Sequence, residues 1–98
     1  MYGSIFKMTA LPGKRDEVVE TFLAWERDVA PRSASEITGY LLKSDANSDE
    51  LIAVAIAPDE AAYRANNDTP GQAEWYEKIR ALLATDPEWN DGEIIKAE

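Results

Sequence analysis

The sequence predicts an α+β fold in which two helices cover one face of a four-stranded antiparallel sheet. Segments with strand-like and helix-like patterns of apolar residues follow one another in the order β-α-β-β-α-β. Right-handed crossover connections in this order place both helices on the same side of the sheet. A chain of 98 residues has room for one hydrophobic core, so residues 1–98 are expected to form a single domain.

The first half of the chain predicts a strand, a helix and a second strand. Tyr2–Thr9 is rich in β-branched and aromatic residues and is followed by the turn sequence Leu11-Pro12-Gly13. From Lys14 onward apolar residues recur at spacings of three and four, which predicts an amphipathic helix that Pro31 ends. Residues 37–44 are again strand-like.

The third strand and the start of the second helix follow directly. Residues 51–57 form a continuous apolar run that predicts a buried strand. The polar turn at residues 45–49 joins it to the preceding strand in an antiparallel hairpin. Pro58-Asp59-Glu60 begins a helix that extends to about residue 67.

The second helix is predicted to break and restart before a short last strand. Thr69 can cap the new segment, Pro70 suits its first helical position, and Gln72 completes a capping box. The β-branched residues within 93–96 predict the fourth strand.

Composition narrows the chemistry. The chain has no histidine and no cysteine, so we expect no Ser-His-Asp triad, thiolate nucleophile or ordinary transition-metal site. Ten basic against nineteen acidic residues give a net charge of −9, which disfavours nucleic acid and anionic membranes as partners. The start of the chain has neither a basic segment nor a long apolar one, so a cytoplasmic location is expected.

Both faces of the predicted ferredoxin-like sheet carry apolar residues. These are Tyr2, Ile5, Phe6, Met8, Tyr40, Leu41, Leu42, Leu51, Ile52, Val54 and Ile56. One layer of helices covers only one face. We therefore predict that the bare face meets a second copy of the chain in a homodimer.

The break in the second helix predicts a small-molecule pocket. Tyr63 precedes the break at Asn66-Asn67-Asp68, and Trp75 follows it. Because a broken helix cannot pack continuously on a sheet, a gap lined by aromatic rings and amides is expected there. In the alternative interpretation, Tyr63 and Trp75 are core residues whose polar atoms find local partners. Arg64 is a candidate anion-binding group, with surface ion pairs to residues such as Glu60 as the alternative.

Five short motifs carry a resemblance that covers nearly the whole chain. They are Leu11-Pro12-Gly13-Lys14, Gly39-Tyr40-Leu41-Leu42, Asp59-Glu60-Ala61-Ala62-Tyr63-Arg64, Trp75-Tyr76 and Trp89-Asn90-Asp91-Gly92. With this layout the sequence resembles the antibiotic-biosynthesis-monooxygenase-like family of dimeric α/β barrels. The resemblance implies two subunits whose sheets pack face to face, with a pocket between sheet and helices in each subunit.

The resemblance also implies a chemistry. Some members of the family oxygenate electron-rich phenols or quinols with O₂ and use no cofactor, neither metal nor flavin. In this chain the implied aromatic ligand would contact Tyr63, Trp75, Tyr40 and Trp25. The implied catalytic groups are Asn66 or Asn67, as a hydrogen-bond donor to the phenolate, and Arg64, which would stabilise negative charge.

The sequence departs from the family in one respect that matters for function. Many members carry a histidine after the start of the second helix, where this chain has Asn66 or Asn67. The haem-degrading members need that histidine and an asparagine on the first strand, so haem degradation is not expected. A second interpretation therefore stays open, in which the domain is a non-catalytic module that binds a small molecule or another protein.

Overall fold

The computed structural model describes residues 1–33 and 36–97, and within them the chain forms a four-stranded antiparallel sheet and three α-helices. The strands are β1 (Tyr2–Thr9), β2 (Thr38–Lys43), β3 (Glu50–Ala57) and β4 (Glu88–Glu93), and the helices are α1 (Arg15–Asp28), α2 (Glu60–Ala65) and α3 (Gln72–Ala81). Strand order across the sheet is β2-β3-β1-β4. This order and the sequence of elements confirm the predicted α+β, ferredoxin-like fold.

The hydrophobic core lies between the helices and one face of the sheet. Met8 of β1 pairs with Leu51 of β3, and both side chains are buried against Val18 of α1 and Ile79 of α3. Side chains alternate between the faces of a strand, so the even-numbered residues of β1 and the odd-numbered residues of β3 point toward the helices. Both main helices therefore lie on one face, as predicted.

The second helix is interrupted as expected, but its restart differs from the prediction. Asp59 caps α2 by accepting a hydrogen bond from the backbone N–H of Ala62 at 2.7 Å. A 3-10 turn, Asn66–Asp68, follows α2, and α3 begins only at Gln72, after Gly71 in a left-handed conformation with φ of 90°. The predicted cap at Thr69 is wrong because the left-handed residue reorients the chain, so the Thr69 side chain does not cap α3.

Gly71 is required for this turn. A positive φ is costly for residues with a Cβ atom. A Cβ added at Gly71 would also lie 3.3 Å from Nη1 of Arg32 and 3.7 Å from the Val29 side chain. At this turn, the chain just before α3 therefore packs closely against the residues that follow α1.

The last strand lies earlier in the chain than predicted. β4 spans Glu88–Glu93 and pairs with β1 from Lys7↔Glu88 to Tyr2↔Glu93, whereas Ile95 is 92% exposed. The polar sequence of β4 has little strand propensity of its own. Pairing along the edge of β1 determines the strand, which illustrates how tertiary context overrides propensity.

The face of the sheet away from the helices has an apolar centre. Ile5, Tyr40 and Leu42 are 54%, 64% and 48% exposed, and the partly buried Ile52 and Val54 lie between them on β3. At one margin Lys7 lies 3.6 Å from the carboxylates of Glu50 and Glu88. Among the described residues, no helix is long and apolar enough to cross a membrane.

Candidate functional site

A cavity of about 960 Å³ lies between the sheet and the helices, near the break between α2 and α3. All seven residues that the sequence analysis proposed for the site line it: Trp25, Tyr40, Tyr63, Arg64, Asn66, Asn67 and Trp75. Its size is at the upper end of the range for small-molecule sites, about 300–1,000 Å³. The aromatic residues therefore border open space instead of filling it.

Small side chains form part of the cavity floor. Gly39 of β2 pairs with Ala55 of β3, Ala55 pairs with Ser4 of β1, and Ser4 pairs with Asp91 of β4. We call these four residues the small-residue row; Gly39, Ala55 and Asp91 line the cavity, whereas Ser4 is buried and does not. The adjacent row on the same face contains Leu41, Ala53, Phe6 and Trp89, which are larger on average. The floor is thus lowest where α2 and the break in the helix lie above the sheet.

Two tryptophans form one wall. The indole N–H of Trp75 donates to the backbone oxygen of Thr21 at 2.6 Å, and that of Trp25 donates to Oε1 of Gln72 at 2.6 Å. The Phe22 ring meets Trp75 edge-on with 5.0 Å between centroids. Because both N–H groups are already bonded, these side chains offer a ligand their ring surfaces.

Arg64 also lines the cavity and takes part in a dense set of contacts. Its guanidinium donates to Oδ2 of Asp91 at 3.1 Å and to the Tyr2 hydroxyl at 2.9 Å, and Glu60 lies 3.5 Å away. The same group stacks over the rings of Tyr2 and Tyr63 at 5.5 and 5.4 Å. Hydrogen bonding to Asp91 raises the pKa of Arg64 further. The predicted anion-binding group is therefore already paired with two carboxylates.

Tyr63 projects from α2 over the floor. Its ring lies 5.4 Å from that of Tyr2. Burial raises the pKa of the Tyr63 phenol, and the nearby Ser4 hydroxyl opposes this rise. Tyr63 is therefore protonated at neutral pH and can donate a hydrogen bond.

The two asparagines of the 3-10 turn differ in their partners. Oδ1 of Asn66 accepts from Oγ of Ser33 at 3.3 Å and from Oγ1 of Thr69 at 3.5 Å. Asn67 is exposed and makes no side-chain hydrogen bond to any described residue. The sequence left the choice between them open, and Asn67 is the one whose amide is available to a ligand.

Tyr40 borders the cavity from a different direction. It pairs with Val54 on β3, which places its side chain on the face of the sheet away from the helices. Leu41, the next residue, points toward the helices instead. Tyr40 therefore contributes to the margin of the site along β2 and also to the exposed sheet face.

The structure adds lining residues that the sequence analysis did not assign to the site. Trp89 packs against Phe6 at 4.3 Å between centroids and against Tyr76 at 6.3 Å. Burial raises the pKa of the Tyr76 phenol. Trp89 and Asp91 were missed because β4 was predicted to begin at residue 93, so their direction along a strand was not considered.

The lining offers no evident site for a metal ion. No group of three or more acidic side chains comes together within residues 1–33 and 36–97, and the charged lining residues are Glu26, Arg64 and Asp91. What the arrangement can do is hold a flat apolar ring and hydrogen-bond its oxygen atoms.

Comparison with known proteins supports the fold. No protein-family model matches the sequence, and no curated protein does. Solved structures do match. One is a protein from Caulobacter crescentus that is assigned as an antibiotic biosynthesis monooxygenase; it matches with a TM-score of 0.84 at 14% identity, covering 97% of this chain and 90% of that one. A second protein with the same assignment, from Nitrosomonas europaea, matches with a TM-score of 0.82 at 11% identity, covering 98% of this chain and 100% of that one.

A third match has a stated activity. It is an asparagine-to-alanine variant of SnoaB, a cofactor-independent oxygenase from Streptomyces nogalater, with a TM-score of 0.81 at 19% identity, covering 98% of this chain and 94% of that one. At these identities the likeness concerns the fold alone. The chain has the fold of the antibiotic biosynthesis monooxygenases, and the resemblance noted in its sequence is confirmed at that level.

Proposed function

We propose that this protein is a cytoplasmic, single-domain homodimer that oxygenates an aromatic phenol or quinol with O₂ and without a cofactor. The observation that carries the proposal is the open cavity of about 960 Å³, which has aromatic walls and an available amide at Asn67. The fold is shared with SnoaB, a cofactor-independent oxygenase. Such chemistry suits a chain without histidine or cysteine, because the deprotonated substrate itself supplies the electrons.

The proposed reaction converts a phenol and O₂ into a quinone and water. The phenolate transfers an electron to O₂, the resulting radicals combine at a ring carbon, and loss of water from the hydroperoxide leaves the second carbonyl. Both atoms of O₂ are accounted for, one in the quinone and one in water. Trp75 and Tyr63 would hold the ring, and the Asn67 amide would donate a hydrogen bond to the phenolate oxygen.

Arg64 has a secondary role in this proposal. Its charge is shared with Asp91 and Glu60, so it adds little positive potential for a phenolate. It stacks on Tyr63 and thereby positions that ring against the cavity. Asn66 supports Asn67 by fixing the 3-10 turn through its bonds to Ser33 and Thr69.

Oxygen consumption with 1-naphthol tests the proposal. The wild-type protein is expected to consume one O₂ per 1,4-naphthoquinone formed. Asn67→Ala should lower kcat by about 100-fold, the typical effect of removing a donor that stabilises an oxyanion. Trp75→Ala should chiefly raise KM, because it removes a ring surface that binds substrate. Asn47→Ala, in the β2–β3 turn, is the matched control and should leave both constants unchanged.

The outcomes separate this proposal from its alternative. Turnover that is unchanged in both cavity variants would contradict the assigned roles. Saturable binding of the ring without O₂ consumption, for 1-naphthol and for other electron-rich phenols, would favour the non-catalytic binding module. That alternative draws support from the absence of an unpaired basic side chain among the described lining residues.

The homodimer is proposed from the exposed sheet face. Its apolar centre at Ile5, Tyr40 and Leu42 and its charged margin at Lys7 resemble the core and rim of a protein interface. Native mass spectrometry should give twice the 10.9-kDa mass of the chain. Leu42→Asp should yield a monomer, because it places a charge at the apolar centre, whereas Leu11→Asp, in the β1–α1 turn, should not. A monomeric wild-type protein would contradict the proposed dimer.

A further inference from the structure

The α1 helix brings one carboxylate to the mouth of the cavity. Glu26 lines the cavity, and so do Phe22 and Leu23, which lie four and three residues before it and therefore share its helix face. Glu26 is exposed, and Leu23 is 48% exposed. This face of α1 thus leads from solvent into the cavity, and a ligand that enters along it meets the Glu26 carboxylate.

No basic side chain among the described residues pairs with Glu26. It forms neither an ion pair nor a side-chain hydrogen bond with any residue of the ranges 1–33 and 36–97. Arg27, the next residue, lies about 100° further around the helix and does not line the cavity. The residues three and four positions away, where a helical ion-pair partner would lie, are all apolar: Phe22, Leu23, Val29 and Ala30. The Glu26 carboxylate is therefore available to a ligand.

The rest of the described lining adds no available positive charge. Arg64 is its cationic side chain, and the guanidinium already lies 3.1 Å from the carboxylate of Asp91 and 3.5 Å from that of Glu60. Asp91 adds a second negative charge to the lining, and the whole chain carries −9. The electrostatic potential in the cavity therefore favours a ligand with a positive charge over one with a negative charge.

The aromatic lining can also attract a cation. Trp25 and Trp75 both line the cavity, with 6.4 Å between their ring centroids. Their N–H groups are bonded to Gln72 and to the Thr21 backbone, so the rings present their faces. The face of an indole ring is the strongest cation–π partner among the side chains. A single carboxylate beside aromatic faces suits an organic ammonium group, whereas a metal ion would need several oxygen ligands.

We propose that Glu26 is a specificity-determining residue whose carboxylate binds a protonated amine on the aromatic ligand. The ring of the ligand lies in the cavity, and its ammonium group lies at the mouth formed by α1. The site accordingly prefers aromatic compounds with a protonated aliphatic amine over neutral or anionic compounds of the same shape. This inference rests on the proposed function, since it assumes that the cavity binds an aromatic ring. It adds the charge of the ligand, which the proposed reaction does not specify.

Calorimetric titration with three naphthalene derivatives at low ionic strength tests the inference. At neutral pH 1-naphthylmethylammonium is cationic, 1-naphthalenemethanol is neutral and 1-naphthoate is anionic. The wild-type protein should bind the ammonium about tenfold more tightly than the alcohol, as expected for an exposed ion pair together with a cation–π contact. It should bind the naphthoate most weakly. In about 0.5 M salt the preference for the ammonium should shrink, because salt screens exposed charges.

Two charge variants and a matched control complete the test. Glu26→Gln keeps the size of the side chain and should reduce the preference for the ammonium to about threefold, the share of a cation–π contact, without changing the affinity for the alcohol. Glu26→Lys should reverse the order, so that the naphthoate binds more tightly than the ammonium. Glu20→Gln removes the same charge from an exposed position of the same helix outside the cavity lining, and it should leave the preference unchanged.

The outcomes separate the inference from the proposed function. Equal affinities of the wild-type protein for the ammonium and the alcohol would overturn the inference. A preference that Glu26→Gln and Glu20→Gln reduce alike would also overturn it, because the effect would then come from net charge alone. In both cases binding of the alcohol would still support an aromatic site. If none of the three ligands binds the wild-type protein, the proposed function fails together with the inference.

Discussion

The helix-covered face of the sheet is closely packed at one end and leaves an open cavity at the other. At one end Leu51 of β3 packs in the same core as Val18 of α1, and both side chains are fully buried and lie outside the cavity lining. At the other end the small-residue row faces the break between α2 and α3, and a cavity of about 960 Å³ remains. Side-chain size and one interrupted helix therefore decide which end is closely packed and which end keeps a cavity.

The largest expected effect is at the core end. Leu51→Ala should lower the free energy of unfolding by about 2–5 kcal/mol, because it removes buried methyl groups and leaves a void in close-packed surroundings. Denaturation by urea measures the change. The affinity for 1,4-naphthoquinone, determined under conditions where the variant is folded, should change far less than the stability. A loss below about 1 kcal/mol would contradict the distinction between the two ends.

The converse substitution fills the cavity end. Ala55→Leu places a large side chain into the small-residue row, where there is space for it. We expect 1,4-naphthoquinone binding to fall by at least about tenfold, because the ring loses its place on the floor. Stability should change by less than in Leu51→Ala, since the added methyl groups occupy empty space. Calorimetric titration and urea denaturation of the same preparation give both quantities.

The core end was the part most accessible to prediction. Tyr2–Thr9 was predicted with the bounds that the structure has, because its alternation of apolar residues is determined by burial on one face. β4 was predicted several residues too late, because Glu88–Glu93 is polar and becomes a strand only through pairing with β1. The pattern of apolar residues within a segment predicts a strand that is stabilised by its own burial. It does not predict a strand that forms only because a neighbouring strand pairs with it.

A moderate effect is expected at the start of α2, the helix that carries Tyr63 and Arg64. Asp59→Ala removes the side-chain oxygen that caps the N–H of Ala62, and it should cost about 1 kcal/mol. Because α2 has only six residues, the loss should also loosen Tyr63 and weaken quinone binding modestly. Asp59→Ser keeps a capping oxygen and is expected to restore most of both properties. Equal behaviour of the alanine and serine variants would refute this assignment.

The smallest expected effect is a dependence of the folding stability on pH, caused by two tyrosines that line the cavity. Burial raises the pKa values of Tyr63 and Tyr76 above the ordinary 10.0, so in alkaline solution the unfolded chain loses these protons before the folded one does. The folded state then holds more protons, and stability must fall as the pH rises from about 10. Tyr63→Phe should reduce this fall, whereas Asn47→Ala, in the β2–β3 turn, removes no titratable group and serves as the control. Urea denaturation at several alkaline pH values measures the fall in stability for each protein.

The position of the cavity was predictable in outline because the break in the helix is visible in the sequence. The seven predicted residues all line one cavity, since aromatic residues and amides flank the point where the helix leaves the sheet. The hydrogen-bond and ion-pair partners of the individual residues were not predictable. The pairing of Arg64 with Asp91 depends on β4, and the difference between Asn66 and Asn67 depends on which amide meets Ser33. Such contacts join residues far apart in the chain, and no local pattern encodes them.

Intrinsic tryptophan fluorescence during a titration with 1,4-naphthoquinone tests the central claim, that the cavity binds an aromatic ring, most directly. The three tryptophans of the chain, Trp25, Trp75 and Trp89, all line the cavity, and there is no cysteine for the quinone to alkylate. We predict saturable quenching with one quinone per chain, and its loss in Ala55→Leu. Quenching that rises linearly with quinone concentration and is identical in the wild-type and Ala55→Leu proteins would contradict the account.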